Sequence, residues 1–214
     1  MTQSTLPTIF LVDDDAAVRK ALSRVLRGEG WTVEAFDSAE AFLAHDKRRG
    51  TGCLVLDVTM PGIDGFALQR RLAEEGRAMP IVFLTGHGDI PMSVQAMKDG
   101  AVDFLTKPVD GQALLRAVRA ALAQDASTRQ ARTEMADLED RLASLTPRER
   151  EVLAAVVKGK LNKQIAGELG IVEQTVKFHR ARIMDRMRVR TLAELMHVAI
   201  RLGVKTQSGD ASRT

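Results

Sequence analysis

Short apolar runs alternate with amphipathic stretches through roughly the first half of the chain. Cys53-Leu54-Val55-Leu56-Asp57 is the clearest run. Four apolar residues in a row suit a strand buried on both faces, as in a parallel sheet, and Pro61 and Gly62 then force a loop. Residues 8–12, 31–36, 80–84 and 102–106 read as four further strands. Between the strands, apolar residues return at helical spacing: Val18, Leu22, Val25 and Leu26; then Ala41, Phe42 and Leu43 behind a capping Ser38. Phe66, Leu68 and Leu72 mark another helix, and Met92, Val94, Ala96 and Met97 the next. Five such units predict an α/β fold, a doubly wound five-stranded parallel sheet with helices on both faces.

The helical pattern then runs on past the last unit. Leu114, Leu115, Val118, Ala121 and Leu122 are followed, with no Gly or Pro, by Met135, Leu138, Leu142 and Leu145. Ala131, Met135, Leu138 and Leu142 have the spacing of a short coiled-coil seam, interrupted upstream by Asp125-Ala126-Ser127-Thr128. The stretch is expected to be a long helical linker, either paired with its twin in a dimer or exposed. Thr146, Pro147 and Glu149 have the spacing of a capping box with Pro at the first helical position. Val152, Leu153, Val156 and Val157 give that helix its apolar face, and Gly159 ends it. Asn162 is expected to cap a second helix, Gly170 to make a tight turn, and a third helix to run from about Glu173 to Met187. A fourth should start near Thr191 and end at Gly203, which makes this last part all-α. The expected boundaries are 8–122 for the α/β domain, 123–143 for the linker, 144–203 for the four-helix domain and 204–214 for a disordered polar tail.

Charge adds what the pattern lacks. Lys and Arg number 14 against 16 Asp and Glu in residues 1–124, 3 against 5 in 125–145, and 14 against 7 in 146–214. Only the last third is basic, which suits either a polyanion-binding module or a solvated basic surface. One cysteine, Cys53, allows no internal disulfide and favours a cytoplasmic home. No apolar stretch approaches the ~20 residues that span a bilayer, so no membrane association is expected, and the first residues do not resemble a signal peptide. The four histidines have no cysteine partners, which argues against zinc.

The strand ends carry the chemistry. In a parallel sheet the carboxyl ends share one edge, so Asp13 and Asp14 after strand one should face Asp57 after strand three. Three close carboxylates repel one another unless a cation sits among them, and an all-oxygen set with open positions suits Mg²⁺. Alone, Asp13-Asp14-Asp15 could simply cap the first helix. Strand four, however, ends in Thr85 and strand five in Thr106-Lys107-Pro108, so a hydroxyl and an ammonium reach the same edge. That set fits a carboxylate attacking phosphorus: Asp57 as nucleophile, Lys107 and the metal on the developing charge, Thr85 as hydrogen-bond donor, and an acyl phosphate as product. The Lys107-Pro108 bond is expected to be cis.

Asp13-Asp14, Asp57, Met60-Pro61, Thr85 and Lys107-Pro108, in this order and spacing, resemble a CheY-type receiver domain over residues 8–122. The stretch from Thr85 to Lys98, with Gly100-Ala-Val-Asp-Phe104, resembles the FixJ-like subgroup. The resemblance implies that Asp14, Asp57 and the Thr59 carbonyl hold Mg²⁺, with Asp13 acting through water. It also implies that Phe104, by its residue type an ordinary core position, rotates when Thr85 moves.

Helix, tight turn and helix with a basic surplus compose a DNA-binding helix-turn-helix. On the third helix of this domain Val176, Ile183 and Met187 form one stripe, and Gln174, Lys177, Phe178, Ala181 and Asp185 lie opposite. The outward face would enter the major groove, with Lys177 reaching bases and Phe178 and Ala181 touching thymine methyls. Phe178 could equally be a buried residue at the helix edge. Lys163, Thr175, Arg180 and Arg182 are placed for phosphates. Leu145-Thr-Pro-Arg-Glu-Arg-Glu-Val-Leu153, Asn162-Lys-Gln-Ile-Ala166 and Thr175-Val-Lys-Phe-His-Arg180 resemble a LuxR/NarL-type domain over residues 144–203. Two positions depart from that family: Val172, where a capping Ser or Asn is usual, and Arg188, where Asn is frequent. By the resemblance the last helix, with Leu192, Leu195, Met196 and Ala199, dimerises on DNA; it could also simply complete the core.

Together these resemblances imply a two-component response regulator, not an enzyme. A sensor histidine kinase would phosphorylate Asp57. A changed surface around the helix after strand four, strand five and the helix after it would form a homodimer, which binds promoter DNA and works with RNA polymerase. The alternatives are a phosphorylation-independent DNA-binding regulator with a structural receiver, and an Asp-nucleophile phosphatase. The phosphatase requires a second Asp at the position of Thr59.

Overall fold

The computed structural model describes residues 6–45, 51–86, 94, 96–98 and 100–204. The chain divides into two units, 1–130 and 131–214.

In the first unit five parallel strands stand in the order β2-β1-β3-β4-β5. They are β1 (Thr8–Val12), β2 (Thr32–Phe36), β3 (Gly52–Asp57), β4 (Ile81–Thr85) and β5 (Asp103–Thr106). All six residues of β3 are buried, as its unbroken apolar run requires. Alternate residues supply two separate cores. Ile9, Leu11, Cys53, Val55, Val82 and Leu84 meet Leu22 and Leu26 of α1 (Ala16–Gly28) and Leu114, Val118 and Ala121 of α4 (Gly111–Ala143). Phe10, Val12, Leu54, Leu56, Ile81 and Phe83 meet Phe42 of α2 (Ala39–Ala44) and Leu68 and Leu72 of α3 (Gly65–Glu74). Two dry faces are why the inner strands β1, β3 and β4 lack polar alternation, and truncating a residue such as Leu56 to Ala would cost about 2–5 kcal/mol.

The strand order reverses direction between β1 and β3, so their carboxyl ends border the crevice of a doubly wound sheet. Val12 pairs with Leu56, which places Asp13 beside Asp57. The helix expected around Met92 to Met97 lies largely outside the described residues, although Val94 and 96–98 are helical and Ala96 is buried. The expected tail lies outside them as well, apart from Val204.

The 33-residue α4 passes through Asp125-Ala126-Ser127-Thr128 without a break. Asp125 is no interruption. It is buried, accepts the Gly52 N–H at 2.9 Å and pairs with Arg129 at 2.6 Å. The proposed seam is also partly occupied within the chain: Leu138 is buried, and Leu142 packs on the core of the second unit. An apolar spacing of three and four fits a core face as well as a partner helix.

That second core joins α5 (Pro147–Val157), α6 (Asn162–Leu169), α7 (Glu173–Met187) and α8 (Leu192–Arg201). The capping box at α5 is complete: Thr146 Oγ1 accepts the Glu149 N–H at 3.2 Å, and Glu149 Oε2 accepts the Thr146 N–H at 2.9 Å. Asn162 does not cap α6. Leu161 holds that position, Gln164 accepts its N–H at 2.8 Å, and Asn162 is already helical. Gly170, at φ +64°, closes the turn to α7. In α8 Leu195 and Ala199 are buried and Met196 packs on the core, whereas Leu192 and Ile200 are exposed. The core role therefore holds for three of the four residues expected at a dimer face.

Candidate functional site

Each residue of the crevice is delivered by the end of a strand. Asp15 accepts from the N–H groups of Ala17 (2.7 Å) and Val18 (3.3 Å), so it alone is the cap of α1. Those bonds hold its carboxyl below the ordinary value. Asp13 and Asp14 are thereby left to the crevice. Asp13 is fully buried and Asp57 is 4% exposed, while Asp14 faces solvent. The Asp13 carboxylate accepts the Asp15 N–H at 2.9 Å, and its backbone carbonyl accepts from Arg19 at 2.6 Å.

Lys107 Nζ lies 2.7 Å from Asp13 Oδ2 and 2.7 Å from Asp57 Oδ2. The Lys107 N–H bonds to the Thr85 carbonyl at 2.6 Å, and the Lys107-Pro108 bond is cis, as expected. Burial raises the Asp13 carboxyl above its ordinary value and the Asp57 charge adds to this, against the pull of Lys107 and the Asp15 N–H. Burial works against the Lys107 charge, but its bonds to Asp13 and Asp57 outweigh that and hold its pKa above the ordinary value.

The loop after β3 closes the rim. Thr59 N–H bonds to Asp57 Oδ1 at 3.3 Å, and Asp64 caps α3 through the Ala67 N–H at 2.7 Å. Gly65 is the residue that the sequence reasoning missed. A Cβ there would lie 2.5 Å from the Asp57 carbonyl, so only glycine lets α3 begin against the end of β3. Thr85 is buried at the end of β4. Phe104 is half-buried, with its ring 6.1 Å from that of Phe83.

One carboxylate oxygen from each of Asp13, Asp14 and Asp57 lies within 4.8 Å of the others. Lys107 offsets one of three negative charges, and the ligand set is all oxygen with one side open to water. Those properties fit a small hard divalent cation that keeps part of its hydration, as Mg²⁺ does.

The second unit presents a different surface. Val176, Ile183 and Met187 are the buried stripe of α7, as its angular spacing predicts. Gln174, Lys177, Phe178, Ala181 and Arg182 are exposed together on the outer side, and Lys163 is exposed on α6. Phe178 is 56% exposed, which removes the buried-edge alternative. Thr175 and Arg180 are half-buried, and Arg180 donates to Asn162 Oδ1 at 2.8 Å, tying α7 to α6. Val172 stands at the cap position of α7 without a side-chain bond, so the helix does start at Glu173. Arg188 ends α7 at φ +52°, in the left-handed region that Asn tolerates better.

Among the described residues no helix is long and apolar enough to cross a membrane. A family model described as the response regulator receiver domain matches residues 9–119, and one described as bacterial regulatory proteins, luxR family, matches residues 143–199. Nodulation protein W of Bradyrhizobium diazoefficiens is 46% identical over 201 residues, covering 94% of this chain and 88% of its own. Transcriptional regulatory protein FixJ of the same organism is 41% identical over 196 residues, covering 92% and 96%. The solved structure of response regulator StyR shares 51% identity at a TM-score of 0.82, over 92% of this chain and 100% of that one.

Proposed function

Because this chain belongs to the two-component response regulators that join a receiver domain to a LuxR-type DNA-binding domain and regulate transcription, we propose that Asp57 is its phosphoacceptor and the outer face of α7 its DNA reader. The receiver implies a histidine kinase as donor. The observation that supports Asp57 best is the Lys107 ammonium 2.7 Å from both Asp57 and Asp13 at the switch point of the sheet.

In this reading an Asp57 oxygen attacks phosphorus, the bond to the kinase imidazole breaks, and the imidazole leaves with the electron pair. Lys107 stays on the transferred oxygens, and the Thr85 hydroxyl donates to one of them. Bound Mg²⁺, held by Asp14, Asp57 and the Thr59 carbonyl with Asp13 through water, would neutralise charge on the transferring group. The modification adds roughly 1.5 to 2 negative charges beside Lys107 and Thr85. Movement of Thr85 then leads Phe104, half-buried and at the surface, to a new rotamer. The surface around it forms a homodimer, and two copies of α7 meet two half-sites on promoter DNA, where RNA polymerase is the further partner. A near-complete switch from 1:99 to 99:1 needs a differential of about 5.5 kcal/mol.

Lys163, Gln174, Thr175, Lys177, Phe178, Arg180, Ala181 and Arg182 form the proposed DNA contact set. The protein works in the cytoplasm as a regulator; its family is not an enzyme class. The test compares wild type with Asp57→Asn in DNA binding, with and without a small acyl-phosphate donor. Tighter binding on donor addition, seen for wild type alone, is expected. Equal and donor-independent binding by both proteins would leave a phosphorylation-independent regulator.

A further inference from the structure

Of the seven phenylalanines only Phe178 is exposed, and it stands on a face whose other members are Gln174, Lys177, Arg182 and the small Ala181. An apolar ring in that position gains nothing from the core. One side of it is covered: the Arg182 guanidinium, one helical turn on, lies 5.5 Å from the ring centroid. Arg182 is itself held from below. Its Nε is 3.5 Å from Oε1 of Glu149, a residue of α5 that is 2% exposed. The other oxygen of Glu149 accepts the Thr146 N–H at 2.9 Å and lies 3.6 Å from Arg186 Nε. Arg186 in turn is tied to the Ser144 carbonyl.

The two oxygens of Glu149 thus have separate tasks. Oε2 caps α5 and faces Arg186, and Arg182 is the cation that the structure places on Oε1. At 3.5 Å this contact is an ion pair rather than a short hydrogen bond, so it depends on the carboxylate charge. Withdrawing Arg182 to a phosphate would take one of the two arginines from this buried carboxylate and leave Arg186 at 3.6 Å. An arginine that touches both Glu149 and the Phe178 ring is placed to support its neighbour.

We infer that Glu149 is a positioning residue for DNA readout: through Arg182 it fixes the Phe178 ring on the outer face of α7, where the ring reads an apolar base edge such as a thymine methyl. The inference rests on the reading of α7 as the DNA-facing helix and reassigns Arg182 from phosphate contact to ring support. Arg182→Lys keeps the charge but loses the planar guanidinium that can lie against the ring and meet Glu149 at once. Glu149→Gln keeps an acceptor for the Thr146 N–H and removes the charge under Arg182.

The test is selection from a randomised duplex pool by the full chain, treated with an acyl-phosphate donor and Mg²⁺. Wild type, Phe178→Ala, Arg182→Lys and Glu149→Gln are run in parallel, followed by affinity against salt for the recovered sequences. All three variants are expected to lose preference at the same base pair, by about tenfold for Phe178→Ala and Arg182→Lys and less for Glu149→Gln. The salt slope of Arg182→Lys should stay at the wild-type value. The inference is overturned if Phe178→Ala keeps every preference, or if Arg182→Lys and Glu149→Gln keep the one that Phe178→Ala loses. It is also overturned if Arg182→Met lowers the salt slope by about 0.9 and leaves the preferences intact, since that is the behaviour of a phosphate contact. A wild-type chain that enriches no sequence refutes the DNA-reading role of α7 itself, a failure distinct from the others.

Discussion

The Asp125 carboxylate accepts the backbone N–H of Gly52 at 2.9 Å, 73 residues away and buried. The bond joins the long helix α4 to the first residue of β3, the strand that ends in Asp57. Replacing Asp125 with Ala would leave that N–H without its partner and remove the carboxylate that pairs with Arg129. A buried donor left unsatisfied costs about 1–3 kcal/mol. Trp31 is the only tryptophan and packs on the first core, so its fluorescence in urea reports this unit alone. An unchanged midpoint for Asp125→Ala would mean that the bond contributes nothing net.

Lys107 is the only cation between Asp13 and Asp57 among the described residues. Its removal in Lys107→Met leaves two buried carboxylates facing each other, and breaking a buried pair from one side costs about 3 kcal/mol. Mg²⁺ should restore part of that loss, because a ligand that binds only the folded state stabilises it in proportion to the logarithm of its concentration. Added Mg²⁺ is therefore expected to raise the urea midpoint of Lys107→Met more than that of wild type, and chelation should abolish both gains. Equal gains would separate the metal from the lysine.

Much of this was legible because it depends on residue type. The run Cys53–Leu56 suits a strand buried on both faces, and the parallel arrangement then brings Asp13, Asp14, Thr85 and Lys107 to one edge. The stripe Val176, Ile183 and Met187 followed from angle alone. Asp125 reads as an interruption and Gly65 passes unmarked because their partners are backbone groups, the Gly52 N–H and the Asp57 carbonyl, which have no signature in a sequence. Asn162 misled for the opposite reason. Its amide suits a cap, but Arg180 on the next helix takes it, and Gln164 serves the cap instead. The spacing of Leu138 and Leu142 could not distinguish a partner helix from the chain's own core.

Glu149 carries a consequence for acid stability. Burial tends to raise its pKa, but the Thr146 N–H and hydroxyl, then Arg186 and Arg182, outweigh that and hold the carboxyl below its ordinary value of 4.5. A carboxyl depressed in the folded state binds its proton more readily when unfolded, so its stabilisation is present above pH 4.5 and is lost as pH falls through the folded value. Amide exchange in α5 and α7 should show the second unit opening more readily below pH 4.5 in wild type. In Glu149→Gln the opening should begin easier at neutral pH and depend less on pH. Parallel pH profiles for the two proteins would show that other carboxylates govern the acid limb.

Arg188 closes α7 at φ +52° and ψ 46°, where its N–H bonds to the Asp185 carbonyl at 3.0 Å. It is the only non-glycine residue at positive φ among the described residues. The left-handed conformation costs an ordinary side chain about 1–2 kcal/mol. Glycine escapes that cost but gives up about 0.5–1 kcal/mol of chain entropy on folding, so Arg188→Gly should stabilise the second unit by about 0.5–1 kcal/mol. Arg188→Asn should gain a similar amount by a different route, since Asn tolerates the conformation without glycine's freedom in the unfolded chain. Slower amide exchange in α7 for both variants is the expected outcome. If either accelerates exchange, the Arg188 side chain contributes contacts that outweigh its backbone strain. A phosphate contact by Arg188 would appear separately, as a salt slope of DNA binding reduced by about 0.9 in both variants.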